Sequence, residues 1–392
     1  MGKAFIQEST LTSIANAIRT KSSSVNTYLP SEMAQAILSI PSGGTINPPP
    51  TLSVNYLYFQ AEEAGSTIAF NVYTNGSLHP SLEYSTDGST WNTWTYTDTS
   101  SHRCMFSTIT LQNVGDYIFL RGNNSKLSGG NGSNTHTISY FMMTGKIRSG
   151  GSIMTLIDAT DTLRTLATKS YIFHGLFYGC GSLTTPPILP ATTLTQYCYY
   201  RMFYNCGSLR TAPALPALTC TNYCYSNMFY GCSSLITPPA LPATTLASYC
   251  YQNMFGYCTS LSVMPTLACT TLTGSCYNSM FQYCTSLTTV LELPATSTSA
   301  TSCYSSMFLH CHNLRTVTNI KLSPTTTSVM NSTFQYCNNL TYIKISSTSW
   351  NTSYAPNWVQ DVASTGTFVK PSGTTIATGV NGIPSGWTVQ NI

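Results

Sequence analysis

His310-Cys311-His312 places two imidazoles and a thiol in three consecutive residues, a set that can ligate zinc or pair a thiolate nucleophile with a base. On a turn or strand, however, adjacent side chains point apart, so the triplet does not converge on one ion. The other cysteines carry a different message. Of the 15 in the chain, 12 fall into two periodic series. One is Cys180, Cys206, Cys232, Cys258, Cys284, Cys311 and Cys337; the other is Cys198, Cys224, Cys250, Cys276 and Cys303, each eight residues upstream of its partner. Periodicity assigns them to structural positions, as buried free thiols behaving as small hydrophobes. Bridges between turns are possible on distance, yet seven cysteines in one series cannot all pair within it. No metal and no cofactor is expected.

Carboxylates are scarcer still. Cleaving a polysaccharide takes two of them poised about one glycosidic bond. From Tyr171 to Ile345 the sole acidic residue is Glu292, and the flanks add Asp158, Asp161 and Asp361. Glu62, Glu63, Glu83, Asp87, Asp98 and Asp116 lie mostly beside glycines or polar turn residues and read as solvated loops. Gly-x-Ser-x-Gly, Walker and dinucleotide glycine patterns do not occur. The chain is expected not to be an enzyme.

What positions the cysteines is a repeat. Met-Phe, two residues and Cys recur as Met202-Phe203 to Cys206, Met228-Phe229 to Cys232, Met254-Phe255 to Cys258, Met280-Phe281 to Cys284 and Met307-Phe308 to Cys311. Leu176-Phe177 to Cys180 precedes these, and Thr333-Phe334 to Cys337 is a weakened last copy. A period of 26 residues, once 27, predicts a solenoid in which each repeat buries its apolar face on its neighbours. Phe177, Phe203, Phe229, Phe255, Phe281, Phe308 and Phe334 then form one internal aromatic column. Leu183, Leu209, Leu235, Leu261, Leu287, Leu314 and Leu340 form an aliphatic one. The extra residue falls within Pro294 to Ser302, a loop that tolerates insertion.

This order of aromatic, Cys and Ser-Leu resembles the BspA-like leucine-rich repeats over roughly Tyr171 to Ile345. The resemblance implies a leucine-rich-repeat solenoid and says little of function, since fold does not fix function. Such a solenoid offers a broad, regular surface. Tyr199, Tyr225, Tyr251, Tyr277 and Tyr304 follow the second cysteine series, and Tyr197, Tyr223 and Tyr249 precede it. If residues flanking a buried Cys face away from it, some of these tyrosines form an exposed row suited to a glycan or protein. Alternatively the rings pack on one another and only shield the convex face. Trp91 and Trp94 offer a second candidate sugar platform, with core packing as the alternative.

Charged residues are only 7% of the chain and the net charge is +4, without a Lys or Arg run, so no nucleic-acid partner is expected. No apolar run reaches the roughly 20 residues that cross a bilayer, so no membrane insertion is expected either. Met1 to Ser9 shows no long apolar stretch and no small-residue cleavage site of a signal peptide, which counts against an ordinary bacterial surface adhesin.

In order, residues 1–40 read as a helical attachment module and 41–51 as a Gly/Pro linker. Residues 52–147 read as an immunoglobulin-like β-sandwich, with strand alternation at Ser53–Tyr56, Thr67–Tyr73, Thr108–Leu111 and Tyr117–Leu120. Residues 148–170 form the solenoid's N-terminal cap, 171–345 its seven repeats and 346–392 a C-terminal cap. The fold class is thus multidomain and mainly β. Leu11 to Arg19, with Leu29 to Ile37, is similar to a small helical module of phage tail fibres. That implies a non-catalytic bacteriophage virion protein, tail fibre or tail tip, on the virion surface after assembly in the host cytoplasm. The implied partners are other virion proteins through the N-terminus, a host cell-surface glycan or protein through the solenoid, and further copies of the chain, most simply as a trimer. A bacterial BspA-like adhesin on the cell surface, or a purely architectural virion component, is the alternative.

Overall fold

The structure is a computed structural model that describes residues 46–74, 79–99, 102–127, 138–298 and 300–392. The expected helices of residues 9–40, residues 41–45 of the linker, and the Asn75-Gly76 and Asn131-Gly132 turns lie outside the described residues. The chain divides into two compact units, Met1–Pro48 and Pro49–Ile392, and nearly everything described belongs to the second.

That unit begins with ten strands: β1 (Leu57–Ala61), β2 (Ser66–Tyr73), β3 (Glu83–Ser85), β4 (Asn92–Thr93), β5 (Tyr96–Thr99), β6 (Arg103–Phe106), β7 (Ile109–Leu111), β8 (Tyr117–Arg121), β9 (Tyr140–Thr144) and β10 (Ile147–Gly150). They form two antiparallel sheets. One has the order β10-β1-β8-β3-β4; in the other β5-β6-β2-β7 are joined by β9, which pairs with β2. Phe59 of β1 meets Phe141 of β9 at 4.9 Å between ring centroids, so the two inner faces share a core. The first strand starts at Leu57 rather than Ser53. Leu57, Phe59 and Ala61 are fully buried, and this apolar alternation outweighs the weaker one at residues 53–56.

The sandwich runs directly into the solenoid. Phe141 stacks on Phe177 at 5.4 Å, and its backbone N–H donates to the Leu176 carbonyl at 2.9 Å. Ile147 and Ser152 form parallel bridges to Leu183 and Ile188. Ile153–Leu156, a 3-10 turn started by the Ser152 cap, is wholly buried beneath this junction. A single apolar core extends from Leu57 to Trp387.

Within the repeats, extended structure is sparse until the C-terminal half. β11 (Thr271–Leu272), β12 (Thr289–Val290) and β13 (Ser297–Thr298) are two residues each, whereas β14 (Thr316–Ile320), β15 (Tyr342–Ile345), β16 (Thr367–Lys370) and β17 (Thr388–Asn391) are longer. β12-β14-β15-β16-β17 make one parallel sheet. Proline explains the difference. After the buried leucine, the early repeats carry Pro186-Pro187, Pro213, Pro238-Pro239 and Pro265, which remove ladder donors. In their place the later repeats have β-branched and aromatic residues: Thr289-Val290, Thr316-Val317 and Tyr342-Ile343.

Both expected internal columns are present. The seven phenylalanines are 0% exposed and stack at 5.3–5.7 Å, and the seven leucines are likewise 0% exposed. Trp358 closes the aromatic column edge-on against Phe334 and donates its indole N–H to the Gly382 carbonyl at 2.9 Å.

Candidate functional site: the turn face of the solenoid

The segment of each repeat that carries Cys-Tyr, Met-Phe and Cys is neither strand nor helix. Three residues per repeat, four apart, have positive φ: Tyr197 (58°), Arg201 (53°) and Asn205 (58°) in one repeat, Tyr249, Asn253 and Tyr257 two repeats on. Left-handed backbone costs a non-glycine residue about 1–2 kcal/mol. Here it is over-determined by hydrogen bonds. The N–H groups of Tyr197, Tyr199, Arg201, Phe203 and Asn205 donate to carbonyls of the next repeat at 2.7–3.1 Å. Those of Cys198, Tyr200, Met202, Tyr204 and Cys206 close turns onto the residue three back. The result is a pattern of two side chains in, then two toward the surface. Cys198-Tyr199 and Met202-Phe203 are buried, while Tyr204-Asn205 and their counterparts lie at the surface.

This pattern corrects the expectation for the candidate tyrosines. Tyr199, Tyr225, Tyr251, Tyr277 and Tyr304 are no more than 2% exposed and stack inside the solenoid at 5.7–6.0 Å. They are core residues. The period-two reasoning that turned them away from Cys198 and its equivalents fails because the backbone is folded into turns, not extended. Burial raises the ionisation of the Tyr199 and Tyr225 hydroxyls well above the usual phenol range.

The surface carries two other ladders. Tyr171, Tyr197, Tyr223 and Tyr249, half-buried, stack face to face at 4.6–4.7 Å. A longer ladder runs along the other side of the turn face: Tyr178, Tyr204, Tyr230, Tyr257, Tyr283, His310 and Tyr336, at 4.3–5.1 Å. Midway it changes register. The first three rings follow the column phenylalanine by one residue, the last four by two. Gly256 sits at the changeover, where a Cβ would come within 2.8 Å of the Tyr230 ring, and the Tyr230–Tyr257 pair is tilted by 50°. Glycine there keeps the ladder continuous. Between the ladders the middle left-handed position is filled by Gly175, Arg201, Asn227, Asn253, Ser279, Ser306 and Ser332.

The first cysteine series has a second task beyond filling space. The Cys206, Cys232, Cys258, Cys284, Cys311 and Cys337 thiols each donate to the carbonyl of the column phenylalanine one repeat earlier, at 3.1 Å, and Cys180 does so to Phe141 at 3.0 Å. Each of the six column carbonyls, from Phe177 to Phe308, already accepts a turn N–H, as Phe203 does from Cys206, so the thiol fills its second lone pair. All 15 cysteines are buried and unbridged. Burial pushes the Cys198 and Cys311 thiols up to about 12, which withholds the reactive thiolate.

The histidine triplet separates as its spacing requires. Cys311 points inward; His310 is sandwiched between Tyr283 and Tyr336, 4.4 Å from each; His312 Nδ1 lies 2.9 Å from Asn338 Oδ1. Burial, followed by the nearby His312, lowers the His310 ionisation.

In the sandwich, Trp94 and Trp91 do not make a platform. Trp94 is 2% exposed and donates its indole N–H to the Ser107 carbonyl at 2.7 Å, so it belongs to the core. Trp91 is half-buried, with the Arg121 guanidinium 4.0 Å above its ring and Tyr56 edge-on at 4.7 Å. Arg121 is held there by Glu83 at 2.6 Å.

The repeats find a match among known families. Residues 160–288 and 266–357 match the BspA type leucine-rich repeat region in six copies, together spanning half of the chain. The chain belongs to the BspA-type leucine-rich repeat family. No curated protein and no solved structure matches it. What the sequence reading missed is the long surface ladder. Its signal was present in the recurrence of Gly, Asn, Ser or Tyr at four-residue spacing between the Tyr before one Cys and the residue before the next, a pattern of left-handed turns rather than of strands.

Proposed function

We propose that this protein is a non-catalytic surface adhesion or binding protein whose solenoid engages its partner through the turn face. The observation that carries this is the seven-ring surface ladder. It spends half-buried aromatic rings on an outer face where the internal columns already supply the core. Because each inner ring is stacked on both sides, the face presents ring edges and hydroxyls rather than an open ring plane. Such a surface suits an extended polymer lying along the repeats more than a single sugar capping one ring. The family's repeat domain supports an adhesive role. The shortage of acidic residues in the repeats supports a non-enzymatic one.

The immunoglobulin-like reading of the sandwich belongs to this proposal, supported by its two antiparallel sheets with a shared core. So does the setting. The family match supports a BspA-like adhesin of a bacterial surface. A bacteriophage tail fibre or tail tip, anchored by residues 1–40 and trimeric, rests on the resemblance of that N-terminal segment, which lies outside the described residues.

The test is retention of intact bacterial cells by the immobilised full chain. The paired substitution Tyr204→Ser and Tyr230→Ser should lower retention at least tenfold with the chain still folded. Equal retention by the folded double variant would contradict the reading.

A further inference from the structure

One pair of rings on the turn face departs from the others. The last left-handed position of each repeat is Gly179, Asn205 and Gly231 in the first three repeats and Tyr257, Tyr283, His310 and Tyr336 in the last four, at φ between 58° and 75°. Bulky residues rarely hold such a backbone, and here they take it only after Gly256, where the ladder moves along by one residue. Tyr257 emerges as the most exposed of the described tyrosines, at 38%. Its ring lies 4.3 Å from that of Tyr283, with 14° between the planes, the closest pair of tyrosines among the described residues. The preceding pairs of the same ladder are 4.9, 4.8 and 5.1 Å apart, the last of them tilted by 50°. The other surface ladder, from Tyr171 to Tyr249, is spaced at 4.6–4.7 Å and half-buried throughout. The Tyr257 and Tyr283 hydroxyls are neighbours as well, so both rings run in the same direction and their ortho carbons, the Cε atoms beside each hydroxyl, lie side by side. Past Tyr283 the ladder passes to His310 at 4.4 Å, which has no phenol to couple.

We propose that Tyr257 and Tyr283 form an oxidative cross-linking site, joined Cε to Cε as dityrosine by a one-electron oxidant that draws on a peroxide. Each phenol gives up one electron and its hydroxyl proton and becomes a phenoxyl radical, with part of its unpaired spin on the ortho carbons. The two radicals pair into one C–C bond, and the hydrogen on each joined carbon then passes through solvent to the oxygen, which restores both phenols. Two electrons and two protons leave the pair in all. The O–O bond of the peroxide breaks as it accepts the electrons, and the protons go to its oxygens or to solvent. The new bond ties the fourth repeat to the fifth and closes a loop in the way a disulfide does, in a chain whose 15 cysteines are all unbridged. This linkage is independent of what the turn face binds.

The test exposes the full chain, dilute enough that copies rarely meet, to persulfate with a photoactivated ruthenium(II) polypyridyl complex, a one-electron oxidant small enough to reach a surface ring. The expected product is a monomer that shows dityrosine fluorescence and has lost two hydrogens, in which peptide mapping joins the segment of Tyr257 to that of Tyr283. Tyr257→Phe and Tyr283→Phe keep the stacked ring, so the fold should persist, and each should lower the dityrosine yield of the monomer at least fivefold. Tyr249→Phe, at the end of the other surface ladder, should change it less than twofold. A monomer without dityrosine, a link mapped chiefly to another pair, or an equal loss in the Tyr249 and Tyr257 variants would overturn the proposal.

Discussion

Tyr225 and Tyr230 lie five residues apart in one repeat and both stack on copies of themselves, yet one is sealed in the core and the other lines the surface. The difference is not residue type but phase within a four-residue turn pattern. Left-handed residues at Tyr223 and Asn227 rotate the chain so that Cys224-Tyr225 and Met228-Phe229 enter the core in pairs. Identical chemistry therefore supports stability in one ladder and is free to support recognition in the other.

Truncation should separate the two most strongly. Tyr225→Ala removes a fully buried ring and should cost about 3–5 kcal/mol. Tyr230→Ala removes stacking on two neighbours worth about 0.5–1.5 kcal/mol each. Urea unfolding of both variants measures the gap, and equal losses would erase the distinction. Next in size is the thiol ladder. Cys232→Ala leaves the Phe203 carbonyl one donor short inside the core and should cost about 1–3 kcal/mol, whereas Cys232→Ser, which keeps a donor, should recover part of that loss.

A smaller effect is the acid limb of stability. His174 has a folded-state value depressed from 6.5 to about 3. Between those values the unfolded chain binds a proton that the folded chain does not, so its contribution is present above about 6.5 and is lost as pH falls toward 3. The limiting slope is about 1.4 kcal/mol per pH unit. His174→Phe should flatten that portion of the stability curve, and an unchanged slope would remove His174 as its source. Smallest is the backbone itself. Asn227→Val places a β-branched residue at φ 55° and should cost about 1 kcal/mol, while Asn227→Gly should be neutral or slightly stabilising.

The sequence made the periodic part of the core legible because stacking repeats one environment: every Phe, Cys and Leu column follows from spacing alone. It misassigned Tyr199 and its equivalents because a two-in, two-out pattern fits neither the strand period nor the helix period. The surface ladder was hidden by its own change of register at Gly256, which breaks the 26-residue spacing while preserving the stack. The sandwich was legible as strands and turns, but its fusion to the first repeat through Phe141 and Phe177 was not, since aperiodic contacts between distant segments leave no trace in spacing. Trp94 went into the core for the same reason: its partner, the Ser107 carbonyl, is set by the fold of β5 and β6.

Tyrosine nitration of the native chain, mapped by peptide mass spectrometry, tests the division most directly. The account predicts modification of Tyr257, 38% exposed, and then of its ladder neighbours Tyr204, Tyr230 and Tyr283, with Tyr199, Tyr225, Tyr251, Tyr277 and Tyr304 untouched until the chain is unfolded. Nitration of Tyr199 or Tyr225 in the folded protein at the rate of Tyr257 would contradict it.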